Sequence, residues 1–217
     1  MIDSFWNMFL EKYHQNRGIR LMRKSQYKNA FYHFEKALLL KDSTVNYFYY
    51  SVCLIALNKH KSAIGYLEKI FDKHNDMILV STTLAECYLV VRDWCKADDF
   101  LGFLVNKHKD NVFINRLWDI SQDPILREKY AASKECFYKA VEQLDAKEYD
   151  TSIEQIKCAI DLDEMNSAYY YLAAIILLQG KRPKSEVESY MEKAVLLAPY
   201  NEEYKKKLQY VKTRYKV

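Results

Sequence analysis

The sequence predicts an all-α fold in which antiparallel helix pairs stack into a solenoid, with a capping helix at the C-terminal end. Half of the 217 residues are hydrophobic, which is enough for a packed core. Gly and Pro number only 4 and 3, whereas β-rich and α/β folds use both residues at turns and phosphate-binding loops. One pattern of small and large side chains also returns along the chain at intervals near 34 residues. Together these observations favour a repeated helical unit.

The recurring pattern is first seen in the stretch SQYKNAFYHFEKALLL, residues 25–40, where Phe34 follows Ala30 by four residues and Ala37 follows by three more. The equivalent first positions are Ala30, Ala63, Ala97, Ser152 and Val187. They are separated by 33, 34, 55 and 35 residues, and the step of 55 is one such interval plus 21 residues. Upstream of these positions, apolar residues at i, i+3, i+4 and i+7 predict another helix. Each interval therefore predicts one helical hairpin.

The phase of the small residues has a physical reason. Two helices pack closely only where a small side chain lets their backbones approach, and large side chains on neighbouring turns fill the flanking space. A solenoid needs this arrangement at every step, so small residues recur with the repeat. The helix propensity of Ala alone does not explain the phase.

These hairpins resemble the tetratricopeptide repeat, which has 34 residues, the pattern W-x2-L-G-x2-Y in its first helix and A-x3-F…A in its second. The resemblance covers about residues 11–111 and 133–200. No repeat here has the Trp that opens the family's first-helix pattern, and only Pro199 matches the closing proline of the family. The resemblance implies a right-handed superhelical solenoid whose first helices line the concave surface.

The extra 21 residues lie near 112–132 and divide the array. We expect an N-terminal subarray over residues 1–121, with three repeats and a short closing helix capped by Asn111. We expect a C-terminal subarray over residues 122–217, with one long helix, two repeats and a capping helix that begins at Asn201. The pair Asp123-Pro124 is a favourable helix start, and it predicts a helix from about Pro124 to Ala146.

The two ends of the chain each allow two interpretations. The first helix, expected from Ser4 to Met22, carries an apolar stripe formed by Trp6, Phe9, Leu10 and Tyr13. This stripe either folds onto the array as a cap, which we favour, or forms a surface for self-association. Residues 204–217 hold six Lys or Arg and no acidic residue. We expect these cations to solvate the last helix, and the alternative is contact with the phosphates of nucleic acid or acidic lipid.

By resemblance, the fifth, sixth, ninth and twelfth positions of each repeat face the concave side. An aromatic pair occupies one such place in three repeats, as Phe48 and Tyr49, Phe137 and Tyr138, and Tyr170 and Tyr171. We expect these six residues to bind an apolar or amphipathic segment of a partner protein. The alternative is that the superhelix or its terminal helices bury the rings.

Chaperone-binding relatives hold a carboxylate with Lys, Asn and Arg on this surface. The matching positions here are Gln15, Ile19, Tyr49, Leu79 and Thr83. None of them is basic, so the sequence argues against recognition of Hsp70 or Hsp90 tails.

No motif in the sequence predicts chemistry. The five histidines are scattered, and nucleotide-binding and hydrolase motifs are missing, so we expect no catalytic residue, no metal site and no cofactor. Five cysteines without a C-x-x-C pair predict no disulfide framework and a reducing compartment. No stretch has the roughly 18 to 20 apolar residues of a membrane span, and the N-terminus lacks the basic region of a secretory signal. The sequence thus predicts a cytoplasmic, non-enzymatic adaptor, scaffold or chaperone.

Overall fold

The computed structural model describes residues 2–23 and 26–215, with side chains from Trp6 onward, and within these residues it contains helices and no strand. The helices are α1 (Ile2–Met22), α2 (Tyr27–Leu40), α3 (Thr44–Ala56), α4 (His60–Lys73), α5 (Ile78–Val90), α6 (Trp94–Lys107), α7 (Val112–Gln122), α8 (Pro124–Asp145), α9 (Tyr149–Leu162), α10 (Ser167–Gln179), α11 (Lys184–Leu197) and α12 (Glu202–Arg214). The all-α prediction is confirmed. None of the described helices combines the length and the apolar character of a membrane span.

The chain forms two compact units, residues 1–127 and 128–217, and the division falls within α8. In unit 1, each of α1 to α6 packs against the next helix along the chain. In unit 2, each of α9 to α11 does the same. The boundary expected from the sequence, between residues 121 and 122, lies just before the start of α8. The first helices of the hairpins are α1, α3 and α5 in unit 1 and α8 and α10 in unit 2.

The positions that the sequence pattern predicts to lie between closely packed helices are buried. The five first positions of the repeat, Ala30, Ala63, Ala97, Ser152 and Val187, are all 0% exposed. Gly18 of α1 faces the buried Phe34 of α2 so closely that an added Cβ would lie 2.7 Å from the ring atom Cζ. The packing role that the sequence assigns to these positions is confirmed.

The three predicted helix caps are present. In each case the side-chain oxygen of Asn111, Asp123 or Asn201 accepts two main-chain N–H groups of the following turn, at 2.7–3.2 Å. These bonds satisfy donors that a helix cannot pair internally. Helix α8 runs from Pro124 to Asp145, within one residue of the expected end.

Four of the turns from a first to a second helix share one backbone geometry. Asn58, Arg92, Lys147 and Lys181 have φ values of 58°, 61°, 63° and 53°. In each turn, the following residue donates its N–H to the carbonyl five residues earlier, at 2.8–3.0 Å. This is a Schellman motif, which usually has Gly in the left-handed position. The four positions recur after 34, 55 and 34 residues, in step with the side-chain pattern.

A buried polar cluster ties α1 to the α2–α3 turn. The side-chain amide of Asn46, which is 0% exposed, donates to Ala37 O at 3.2 Å, to Lys41 O at 2.9 Å and to Glu11 Oε1 at 3.1 Å. Gln15 Nε2 donates to Asn46 Oδ1 at 2.6 Å. The repeat pattern of the sequence does not predict this cluster. Because their polar atoms are paired with one another, burial does not leave them unsatisfied.

The apolar stripe of α1 does not fold onto the array as the favoured interpretation expects. Trp6, Phe9 and Tyr13 are 56%, 57% and 53% exposed. Since Gly18 packs on Phe34 and Glu11 lies near Lys41, residues 2–10 extend past the end of the antiparallel α2. No part of α2 is available there to cover the stripe.

Unit 2 contains a disulfide between Cys136 of α8 and Cys158 of α9, with the two Cα atoms 6.1 Å apart. The sequence argues against a disulfide framework, and it does not predict this single pair. The sequence separation of 22 does not resemble a redox or zinc motif, and only the packing of the α8–α9 hairpin places the two positions opposite each other. Among the remaining cysteines, Cys53 and Cys87 are buried and Cys95 is exposed.

Candidate protein-binding surfaces

The predicted binding residues of unit 1 lie together on α3. The Phe48 and Tyr49 rings meet edge to face, with centroids 5.9 Å apart. Tyr49 also stacks on the buried Phe34, at 5.2 Å and an interplanar angle of 12°. Both predicted residues are partly buried. The core therefore fixes one face of Tyr49, which orients the pair.

The equivalent pair on α8 is also anchored to the core of its unit. The Phe137 ring meets Tyr138 edge to face at 5.2 Å and lies over the buried Tyr169 at 5.3 Å. The Tyr169 hydroxyl and Ser133 Oγ are 3.0 Å apart and share a hydrogen bond. Phe137 and Tyr138 keep part of their surface in contact with solvent.

On α10 the two predicted residues have different surroundings. Tyr170 lies near Tyr190, with ring centroids 6.4 Å apart, and Lys193 Nζ lies 5.9 Å above its ring. Burial, followed by the nearby Glu164, raises the pKa of Tyr170, so its hydroxyl remains neutral at physiological pH. A neutral hydroxyl can both donate and accept a hydrogen bond.

Tyr171, in contrast, is partly covered by the terminal helix α12. Its ring stacks on Tyr204 at 4.4 Å and 17°, and its hydroxyl donates to Glu203 Oε1 at 3.0 Å. This contact is of the kind that the alternative interpretation expects, in which a terminal helix covers the ring. The assignment of all six aromatic residues as binding residues stays a prediction.

Unit 1 has an open apolar cleft of about 340 Å³ that the sequence analysis did not single out. It is lined by Phe71, Tyr88, Lys96, Asp99, Phe100 and Phe103. The Tyr88 hydroxyl donates to Glu68 Oε1 at 2.7 Å, and Lys96 Nζ lies 5.6 Å above the Tyr88 ring. Burial and the hydrogen bond with Glu68 raise the pKa of Tyr88 well above its ordinary value. The sequence feature that could have indicated this cleft is the recurrence of Phe on the second helices α4 and α6.

Two histidines meet at the α1–α2 contact. The Nδ1 atoms of His14 and His33 lie 2.9 Å apart. Burial, then Lys36, lowers the pKa of His14. Burial, then His14 and Arg17, lowers the pKa of His33. The surrounding positive charge disfavours a bound cation, and within residues 2–23 and 26–215 no group of three or more His, Cys, Asp or Glu is arranged to hold a metal ion.

Several cations of the C-terminal helix have partners. Lys205 Nζ lies 3.0 Å from Glu202 Oε1, and Lys212 Nζ lies 2.7 Å from Glu192 Oε1. Lys184 Nζ also donates to the carbonyl of Lys212 at 2.6 Å. Two of the lysines in the basic segment are thus engaged with carboxylates of unit 2.

Comparison with known proteins gives one family match. A family model described as anaphase-promoting complex, cyclosome, subunit 3 matches residues 23–104. No curated protein matches the chain.

Several solved structures are similar to this chain. MamA of Desulfovibrio magneticus RS-1, from residue 41 to its end, has 14% identity and a TM-score of 0.43, over 89% of this chain and 97% of that chain. The TPR2AB domain of yeast Sti1, solved as a pHSP90 complex, has 14% identity and a TM-score of 0.44, over 87% and 78%. A thermophilic TPR protein of Thermus thermophilus has 14% identity and a TM-score of 0.43, over 93% and 98%.

The family match lies within unit 1, where the sequence pattern and the hairpins are both clear. The repeat period of about 34 residues, the closely packed hairpins with small residues at their contacts, and the family match over residues 23–104 support the resemblance of unit 1 to tetratricopeptide-repeat hairpins.

Proposed function

We propose that the chain is a non-enzymatic protein-interaction module, an adaptor, scaffold or chaperone, that holds an apolar or amphipathic segment of a partner on its first helices. The observation that supports this most is the recurrence of an aromatic pair at one place in three repeats, with every ring partly exposed. Aromatic side chains supply large apolar contact areas at a low cost in conformational entropy, and they are enriched at energetically important interface positions.

The surroundings of the rings support a preformed surface. Tyr49 is held by Phe34, and Phe137 is held by Tyr169, so a partner would meet rings that are already oriented. The neutral hydroxyl of Tyr170 adds a hydrogen-bonding group beside this apolar area.

The same surface does not suit a partner anchored by its terminal carboxylate. Leu79 and Thr83 stand at two of the positions where chaperone-tail binders carry basic or amide side chains. Gln15, at a third, is hydrogen-bonded to Glu11 and Asn46 inside unit 1. A partner segment recognised by its apolar side chains fits this surface better.

Nucleic acid is not the partner that we propose. Lys205 and Lys212 lie beside Glu202 and Glu192, whose carboxylates would compete with phosphate for the same ammonium groups.

The proposal is tested with the full chain as bait in affinity purification from its native cell, followed by titration of the captured protein against purified variants. Phe48→Ala and Tyr170→Ala should each weaken binding by roughly 10-fold or more, as loss of an aromatic anchor usually does. Tyr32→Ala is the matched control, because Tyr32 is 53% exposed on the second helix α2. Unchanged affinity in the Phe48 and Tyr170 variants, or an equal loss in the Tyr32 variant, would contradict the proposal.

A further inference from the structure

One edge of unit 1 carries large apolar side chains at every turn. The turns from a second helix to the next first helix, α2–α3, α4–α5 and α6–α7, share this edge because successive helices are antiparallel. Lys107 Nζ at the end of α6 donates to Asn75 O in the α4–α5 turn at 2.9 Å, so neighbouring turns are adjacent. The exposed apolar residues here, which we call the ledge, are Leu39, Val45, Met77, Ile78, Leu79, Val112 and Phe113.

The exposure on the ledge is large. Val112 is 82% exposed, Leu39 is 75% exposed and Leu79 is 61% exposed. The opposite edge differs, because its turns at residues 57–59 and 91–93 expose Asn58, Lys59 and Arg92 instead. The apolar character therefore belongs to one edge of unit 1.

The start of α1 projects from the same edge. Glu11 lies at the α2–α3 turn, where its carboxylate accepts from Asn46 and lies 3.8 Å from Lys41 Nζ. The nine helical residues before Glu11 extend roughly 13 Å beyond this point, at about 1.5 Å per residue. The exposed apolar residues of this projecting part, which we call the arm, are Trp6, Met8, Phe9 and Leu10. Residues 6–10 contain no charged side chain.

The arm cannot cover its own ledge. It is the first part of a continuous helix, Ile2–Met22, whose later turns are packed on α2. Folding the arm back onto the ledge would require breaking α1 near Glu11, where the polar cluster holds it. The two apolar surfaces of one chain are therefore both open to another molecule.

The combined area matches what a stable dimer needs. A whole large apolar side chain has on the order of 150 to 200 Å² of surface, so half-exposed residues give roughly 600 Å² on the ledge and roughly 350 Å² on the arm. Each value lies in the range of the largest apolar patch on an ordinary monomer, about 300 to 600 Å². If each arm covers an area of the ledge equal to its own, two arm-on-ledge contacts bury about 1,400 Å², within the standard interface range.

We propose that a second copy of this chain covers the ledge, with the arm of each copy lying on the ledge of the other. The two contacts are related by a two-fold axis, so the assembly closes as a dimer. Lys41, Lys73, Lys107 and Lys109 flank the ledge and supply the charged rim that surrounds an apolar interface centre. The residues substituted in its test are not among the six aromatic residues proposed above to bind a partner, so the outcomes of the two tests can be distinguished.

The first test measures the mass of the full chain by sedimentation velocity between about 1 and 100 μM. The wild type should move from the monomer mass of 25.9 kDa to twice that value. An arm variant, Phe9→Asp with Leu10→Asp, and a ledge variant, Leu39→Asp with Val112→Asp, should each remain monomeric with unchanged helicity by circular dichroism. The control Leu196→Asp, at a 70% exposed leucine of unit 2, should dimerise like the wild type.

Mixing the two variants tests the pairing itself. An arm variant keeps an intact ledge, and a ledge variant keeps an intact arm, so the mixture should form a heterodimer with one of the two contacts, at least about 10-fold weaker than the wild type. A wild type that stays monomeric throughout the range would overturn the proposal, as would a ledge variant that dimerises normally. A monomer that floats with phosphatidylcholine–phosphatidylserine vesicles through these residues would overturn it in favour of a membrane surface.

Discussion

Gly18 and Gly65 provide the same substitution in opposite surroundings. Both lie inside helices, where replacing Gly by Ala stabilises a protein by about 0.5 to 1 kcal/mol when there is space for the methyl group. An added Cβ at Gly65 meets nothing within 4 Å, so Gly65→Ala should raise the free energy of unfolding by that amount. Gly18→Ala should lower it instead.

The destabilisation at Gly18 follows from the geometry of one ring. The new Cβ would lie 2.7 Å from Cζ and 2.8 Å from Cε2 of Phe34, well below the optimal carbon–carbon distance of about 3.5 to 4.0 Å. Phe34 is 0% exposed and stacks on Tyr49, so its ring has no space into which to move. Overpacking of this kind costs about 1 to 3 kcal/mol. The two alanine variants should therefore differ by about 1 to 3 kcal/mol.

Urea denaturation followed by far-ultraviolet circular dichroism measures this difference, because both glycines belong to unit 1 and report on the same transition. Gly18→Ala should destabilise the Phe34→Leu variant less than it destabilises the wild type, because the smaller Leu side chain removes the clash. If Gly18→Ala raises the urea midpoint as Gly65→Ala does, the inferred close approach of α1 and α2 is refuted.

Three further predictions concern other contacts. Dithiothreitol should lower the melting temperature of the wild type but not that of Cys158→Ser, because the disulfide to Cys136 contributes about 3 kcal/mol to the free energy of unfolding. Equal melting temperatures of the wild type with and without reductant would contradict this. The lowered pKa values of His14 and His33 mean that the unfolded chain binds protons more readily, so stability is full above the ordinary pKa of 6.5 and is lost as pH falls below it. His33→Gln should flatten this dependence in urea midpoints taken from about pH 7 to pH 5, and an unchanged slope would count against the role of the pair. Asn46→Leu should lower the free energy of unfolding by about 2 to 4 kcal/mol, because it leaves buried hydrogen-bonding groups without partners, whereas the exposed Asn106→Leu should change it by less than about 0.5 kcal/mol.

The fold could be predicted because close helix packing imposes its requirements on single residues. A backbone contact needs a small side chain, so Ala30 and Ala63 mark the hairpins in the sequence itself. Helix starts could be predicted for a similar reason, since Asn111 and Asp123 satisfy N–H groups within a few residues of themselves. Both signals are local, and neither depends on how distant parts of the chain meet.

The remaining features depend on neighbours that a sequence pattern does not specify. The spacing of Trp6, Phe9 and Tyr13 shows an apolar face, but it does not show that α1 extends past the end of α2. The Cys136–Cys158 disulfide depends on the relative rotation of two helices, and the cover over Tyr171 depends on where α12 lies. For the candidate site, the sequence could therefore name the aromatic residues but not the surface that each leaves accessible.

The four left-handed turns make the hairpins interchangeable at the level of the main chain. Asn, Arg and Lys all occupy the same strained position, so backbone hydrogen bonds rather than a particular side chain set the bend. A deletion of residues 59–92 would join Asn58 to Asp93 and splice one bend onto its equivalent, removing a single repeat while leaving the bend's conformation intact. Gene duplication or loss could lengthen or shorten such a chain by whole repeats at these junctions without requiring a new connecting loop.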